Sequence, residues 1–127
     1  MHRREAMTPR LLFIGMLTLS FACACNSNTD SQPKDVQEGA ALFISKNCVT
    51  CHGPEGEGGV AGPALKDLAE YYTVESLAEY LNDPDAAVQR DERLRERAEG
   101  YGALMPKYSY LPIEDRRKLA MYVLSLR

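Results

Sequence analysis

The sequence is poor in the residues from which disulfide frameworks and metal cages are built. It contains four cysteines and two histidines in 127 residues, and it has no tryptophan. No stretch alternates apolar and polar residues as a half-buried strand would, so a sheet is not expected. No apolar run reaches the roughly 20 residues that a membrane-spanning helix needs. The sequence therefore predicts one small all-α domain.

The charge balance argues against one class of partner. The chain carries 15 Lys and Arg against 18 Asp and Glu, a formal net charge of −3. Three of the arginines lie within the first ten residues, so the rest of the chain is more acidic still. A nucleic-acid-binding domain is typically basic, and we therefore expect no nucleic-acid partner. Net charge does not decide protein partners, because local patches steer docking.

Residues 1–24 have the pattern of a secretory signal peptide. A basic start precedes residues 11–24, an uncharged and mainly apolar run that is too short to span a bilayer comfortably. Segments 20–23 and 22–25 both resemble a bacterial lipobox, although Leu is missing at the third place before the cysteine. The resemblance implies an exported, periplasmic or extracytoplasmic lipoprotein, anchored to the membrane through Cys23 or Cys25. Ordinary cleavage after Ala24 is the alternative and would leave Cys25 unmodified.

Residues 25–34 are predicted to form a flexible tether between this leader and the folded domain, residues 35–127. Positions 26–33 are polar and lack large apolar side chains, so they cannot pack a core.

The stretch Cys48-Val49-Thr50-Cys51-His52 carries the chemistry. Cys-x-x-Cys-His is the attachment signature of a c-type haem. One turn of backbone presents both sulfurs to the edge of the macrocycle for thioether formation. The histidine after the second cysteine then becomes the proximal iron ligand. We therefore expect one covalently attached haem c, with its iron bound by His52.

Paired cysteines have two other common interpretations. A redox dithiol of the thioredoxin type needs a βαβ context, which the sequence does not offer. A structural zinc site needs four ligands, and the processed chain has no further Cys or His beyond an N-terminal Cys25. Both fit the sequence less well than haem attachment.

Hydrophobic spacing predicts helices at residues 35–47, 65–72, 73–83 and 113–126, with Thr73 as an N-cap. Residues 53–63 hold five glycines and two prolines and predict a loop. A phosphate-binding loop is not favoured there, because the Lys-Ser/Thr of a P-loop is absent. Residues 85–99 are dense in both charges, with a thin apolar seam at positions 88, 94, 98 and 101. This segment is most simply a solvated helix with charge pairs, and a docking surface is the alternative.

In the order of these elements the chain is similar to class I cytochromes c over most of residues 35–127. Gly39 with Phe43 resembles the N-terminal helix motif of that family, and Leu119 with Tyr122 resembles the C-terminal helix that crosses it. The resemblance implies a small cytochrome c fold that holds the haem between helices and loops. The charged segment 85–99 is longer than compact members need, and the family's frequent tryptophan is absent, so the haem-propionate contacts stay unassigned.

The same resemblance implies two further site residues. Segment 62–65 resembles the one whose proline carbonyl accepts the proximal histidine's Nδ1 proton, so Pro63 would orient His52. Met105-Pro106 resembles the distal-ligand motif, so Met105 would be the sixth iron ligand. The alternative for Met105 is a core methionine.

The resulting expectation is a one-electron carrier rather than an enzyme, monomeric, which shuttles electrons between redox proteins. Its alternatives are an electron-delivery subunit of a larger oxidoreductase that docks through residues 85–99, and a ligand sensor if Met105 dissociates. A haem peroxidase is disfavoured, because no distal His or Arg constellation is apparent.

Overall fold

The computed structural model describes residues 32–102 and 104–127, and these ranges contain helices and no strand. A 3₁₀ turn lies at Leu68–Glu70. The all-α prediction is confirmed. The helices are α1 (Lys34–Ser45), α2 (Val49–His52), α3 (Val74–Asn82), α4 (Pro84–Arg90), α5 (Glu92–Glu99) and α6 (Ile113–Ser125).

The predicted leader and most of the predicted tether fall on residues 1–31, which lie outside the described residues. Within the described ranges, no helix is both long and apolar enough to cross a membrane.

The first and last helices cross where α1 has a glycine. A Cβ added at Gly39 would overlap the backbone carbonyl of Lys118 and lie 2.9 Å from the Cβ of Tyr122. Only a residue without a side chain permits this approach of two helix backbones. One turn later, the rings of Phe43 and Tyr122 pack with centroids 5.3 Å apart. The predicted crossing of the terminal helices is confirmed.

The core lies between these two helices and α3. Phe43 and Leu119 are almost fully buried at its centre, and each stabilises the fold by roughly 1.5–3 kcal/mol relative to an exposed position. One charged side chain is buried beside it. Arg116 donates from Nη1 to the carbonyl oxygen of Leu111 at 2.6 Å and from Nε to that of Ala78 at 3.2 Å. These bonds join α6 to α3 and to the segment before α6.

Helix α3 begins as the sequence predicts. The Thr73 hydroxyl accepts a hydrogen bond from the Ser76 backbone N–H at 3.2 Å, and Ser76 Oγ accepts one from the Thr73 N–H at 2.9 Å. This reciprocal pair satisfies two of the backbone donors that a helix start leaves without partners.

Two of the four helices predicted from hydrophobic spacing differ from the structure by more than one residue. Helix α1 ends at Ser45 rather than at residue 47, because Asn47 adopts a left-handed backbone (φ 64°). The helix expected over residues 65–72 is reduced to the 3₁₀ turn, because Asp67 adopts the same conformation (φ 59°). A left-handed residue ends a right-handed helix.

The single helix expected over residues 85–99 is wrong, because the segment forms two helices. Asp83 caps α4 by accepting from the Ala86 N–H at 3.1 Å, and Pro84 occupies the first turn. Asp91 is extended and caps α5 by accepting from the Arg93 N–H at 2.9 Å. The charge pairs are also fewer than expected. Among the described residues, Arg93 with Asp91 is the one ion pair within this segment.

Candidate functional site

A cavity of about 570 Å³ opens between α2, the glycine-rich loop, α4, α5 and the segment before α6. Its size falls in the range of roughly 300–1,000 Å³ that is typical of cofactor sites, and most of its walls are apolar. The structure brings every site residue predicted from the sequence to this cavity: Cys48, Cys51, His52, Pro63 and Met105.

The cysteine pair is presented by the short helix α2. The chain leaves α1 through a hydrogen bond from the Cys48 N–H to the Phe43 carbonyl at 3.0 Å, and the His52 N–H then bonds to the Cys48 carbonyl at 3.0 Å. Both thiols are free and half-buried against the cavity. One turn of helix therefore places Cys48, Cys51 and His52 on one wall.

The histidine ring is oriented by the backbone of the loop. His52 is buried, and its Nδ1 lies 2.8 Å from the carbonyl oxygen of Pro63. A carbonyl oxygen can only accept, so Nδ1 carries the proton and donates. The other ring nitrogen, Nε2, is left with a free lone pair, which is the state that a metal-binding imidazole requires.

A glycine next to Pro63 permits this arrangement. A Cβ at Gly62 would lie 3.0 Å from the carbonyl oxygen of Cys51 and 3.1 Å from its Cβ. The loop backbone therefore lies directly against the attachment motif, which puts the Pro63 carbonyl within reach of His52.

The thiol environment disfavours a redox dithiol. Burial raises the pKa of the Cys48 thiol, and its hydrogen bond with the Tyr108 hydroxyl only partly opposes this effect. Reactive dithiols have the opposite property, a lowered pKa that generates thiolate at neutral pH. Among residues 32–102 and 104–127, no three or more His, Cys, Asp and Glu side chains are grouped to hold a metal ion.

Met105 lies in the segment before α6, half-buried against the core and the cavity. Two contacts hold that segment in place. The Lys107 ammonium lies 2.9 Å from Oδ1 of Asp83, and the Tyr108 N–H donates to the Leu81 carbonyl at 3.0 Å. Both contacts fix the chain just after Met105 to the end of α3.

Tyr108 is a site residue that the sequence reading missed. Its hydroxyl lies 3.8 Å from the Cys48 sulfur and 3.4 Å from the Lys46 carbonyl. Burial raises the pKa of this hydroxyl, with the Cys48 sulfur adding to the effect, so the hydroxyl stays protonated. The sequence feature that could have indicated this role is the position of Tyr108, three residues after the predicted ligand Met105.

The charged segment also contributes to the site, which corrects its interpretation as a merely solvated helix. The residues of its thin apolar seam line the cavity: Val88, Leu94, Ala98 and Tyr101. Apart from Asp85 and Arg97, which also line the cavity, the charged side chains of α4 and α5 lie outside its lining.

These residues are those of a haem pocket, and the comparison with known families agrees. The family model described as Cytochrome c matches residues 36–127. The chain belongs to the cytochrome c family. The class I cytochrome c fold expected from the sequence is thereby confirmed, and the cofactor is a covalently bound c-type haem with iron.

One curated relative of this cytochrome c is the protein named cytochrome c oxidase subunit 2 of Alkalihalophilus pseudofirmus. The two are 31% identical over 94 residues, which cover 71% of this chain and 25% of that protein. The chain thus spans about a quarter of the relative's length. No solved structure gives a significant match.

The cavity fits a c-type haem. Two free thiols stand on one wall, a buried imidazole with a free Nε2 lies beside them, and the remaining walls are mainly apolar. These are the donors that thioether attachment and axial ligation require.

Proposed function

We propose that this cytochrome c is a one-electron carrier with His52 and Met105 as its axial iron ligands. The observation that carries the proposal is the convergence of Cys48, Cys51, His52 and Met105 on one cavity. The bound haem supplies the chemistry, which is the exchange of one electron between ferrous and ferric iron.

The residues that line the haem site have separate roles. Cys48 and Cys51 hold the cofactor, and the Pro63 carbonyl fixes the tautomer and orientation of His52. Met105 closes the sixth position with a thioether, a ligand that favours the ferrous state and raises the reduction potential. The apolar walls exclude water from the ring. With both axial positions filled, no site for a substrate is left on the iron.

Absorption spectra of the processed protein, oxidised and reduced, with and without carbon monoxide, test this proposal. A closed carrier gives a low-spin c-type spectrum, a methionine-to-iron charge-transfer band when oxidised, and no response to carbon monoxide. A high-spin spectrum or prompt carbon monoxide binding would contradict it and favour a ligand sensor. Absence of covalent haem from a host that matures c-type cytochromes would overturn the whole proposal.

A second role is favoured by the oxidase relative. Since a similar domain forms part of a protein named as an oxidase subunit, we propose that this carrier delivers electrons to a terminal oxidase, as a mobile donor or as a bound subunit. Oxygen consumption by an oxidase preparation from the source organism, with the pre-reduced protein as sole donor, tests the role. Co-purification with the oxidase separates a bound subunit from a mobile donor, and failure to support any oxygen consumption would contradict both.

We further propose export and lipid anchoring, as the sequence predicts. Cytochrome c domains are usually extracytoplasmic, and covalent attachment retains the haem where lost cofactor could not be recovered. The mass of the processed N-terminus tests the anchor. Acylation at Cys23 or Cys25 supports it, and loss of acylation in the matching Cys→Ser variant identifies the residue. A processed chain that begins with an unmodified Cys25 contradicts it.

A further inference from the structure

Among the residues that the structure describes, one charged side chain of the cavity lining has neither a hydrogen-bond nor an ion-pair partner. Four of its described lining residues are acidic, basic or histidine. His52 donates to Pro63 as described above. The Lys46 ammonium lies over the Tyr110 ring, 5.8 Å from its centroid, and the Asp85 carboxylate lies 3.4 Å from the Lys107 ammonium.

The fourth is Arg97, in the last turn of α5. Its guanidinium makes neither a hydrogen bond nor an ion pair with any residue that the structure describes. The side chain is exposed, so it lies at the rim of the cavity rather than in its depth. Its neighbours Ala98 and Tyr101 also line the cavity, so the end of α5 faces the site.

A haem needs such a group. Its ring is apolar and suits the apolar walls, but its two propionates are carboxylates that require donors at the rim. Guanidinium is the side-chain group best matched to a carboxylate, because its planar fork donates two parallel hydrogen bonds. We infer that Arg97 binds a haem propionate. The charged segment thereby has a specific task in the site.

The pairing has a consequence for electron transfer. An ionised propionate stabilises the extra positive charge of ferric iron and so lowers the reduction potential. A guanidinium beside it cancels much of that effect, although its exposure to solvent weakens the interaction. Arg97 therefore raises the potential of the bound iron.

Three variants test the inference. Arg97→Gln removes the charge, Arg97→Lys keeps it without the fork, and Arg95→Gln makes the same charge change two residues away. Arg95 does not line the cavity and instead donates to the Gln89 carbonyl at 3.1 Å. We expect the midpoint potential to fall in Arg97→Gln, to fall less in Arg97→Lys, and to change little in Arg95→Gln. Equal shifts in Arg97→Gln and Arg95→Gln would overturn the inference, since only a general charge effect would then remain.

Proton NMR of the diamagnetic ferrous protein gives a direct geometric test. We expect nuclear Overhauser contacts between the Arg97 δ-protons and the propionate methylenes. Propionate contacts from other side chains, with none from Arg97, would contradict the assignment. The inference rests on the haem site and not on the axial ligands. A methionine-to-iron absorption band that is unchanged in all three variants would show that the proposed ligation by His52 and Met105 is intact. A failure of the Arg97 assignment can then be told apart from a failure of that ligation.

Discussion

His52 donates from Nδ1 to the carbonyl oxygen of Pro63 at 2.8 Å, eleven positions along the chain. The bond depends on a tight loop. Gly58 has a positive φ of 79°, and a Cβ there would lie 2.9 Å from the Cα of Ala64, the residue after Pro63. The orientation of the imidazole is therefore linked to a glycine six residues away.

We expect Gly58→Ala to destabilise the protein by about 1–3 kcal/mol, from left-handed strain and steric overlap together. Denaturant unfolding monitored by circular dichroism measures the change. Gly59→Ala is the matched control, because a Cβ at Gly59 meets nothing within 4 Å and its φ is not positive. Equal stability of the two variants would contradict the role given to the Gly58 backbone.

The helix crossing gives a second prediction. Gly39→Ala should gain about 1 kcal/mol in helix propensity, but overlap with the Lys118 carbonyl must separate α1 from α6. We expect a net destabilisation of about 1–3 kcal/mol, as for other overpacked sites. Thermal unfolding measures it, with Gly102→Ala as control because nothing lies within 4 Å of a Cβ there. A stabilised Gly39→Ala variant would show that the helices do not cross at this residue.

The buried side chain of Arg116 gives a third prediction. Arg116→Met removes the donors of the Leu111 and Ala78 carbonyls and leaves both acceptors without that partner. We expect a loss of about 2–3 kcal/mol, since bonds from a charged donor are stronger than neutral ones. The neighbouring Arg117→Met is the control, because it removes only a surface ion pair with Glu114. Unfolding free energies that match for the two variants would contradict the buried role.

The segment after Met105 should respond to acid. The hydrogen bond from Lys107, followed by that from the Ala86 N–H, lowers the pKa of Asp83 below its usual value of 3.8. A lowered folded-state pKa stabilises the ionised native state. This contribution is fully present above the unfolded-state pKa and is lost as the pH falls through the lower folded-state value.

Asp83→Asn keeps an N-cap residue for α4 while it removes the charge that pairs with Lys107. We expect this variant to be less stable than the parent protein at neutral pH, and the difference to shrink as the pH falls below 3.8. Unfolding midpoints measured across this range test it. A difference that stays constant with pH would show that the ion pair contributes nothing.

The fold could be predicted from the sequence wherever the local signal and the packing agree. Thr73 marks the start of α3, and Gly39 marks the helix crossing, because each residue type suits one local geometry. Helix ends were less predictable. Asn47 and Asp67 adopt a left-handed backbone that many sequences permit and few require. Asp83 caps α4 and Pro84 occupies its first turn, but a proline at this place also suits the end of the helix before it.

Site residues that belong to a sequence motif could be predicted. Residues that reach the cavity only through tertiary packing could not. The haem-attachment motif spans five consecutive positions, from Cys48 to His52, so its spacing indicates that these side chains act together. Tyr108 and Arg97 reach the cavity only through the positions of other elements. The apolar seam at Val88 and Leu94 was visible, but its composition alone does not tell a cavity wall from a thinly packed surface helix.

The ligation of the iron by Met105 is the central claim, and carbon monoxide binding to a methionine variant tests it most directly. We predict that Met105→Ala loses the methionine-to-iron band, binds carbon monoxide when reduced, and has a lower potential because the thioether is gone. Met121→Leu is the matched control, because Met121 lies in α6 and does not line the cavity. A Met105→Ala variant that keeps the methionine-to-iron band and does not bind carbon monoxide would contradict the ligation of the iron by Met105.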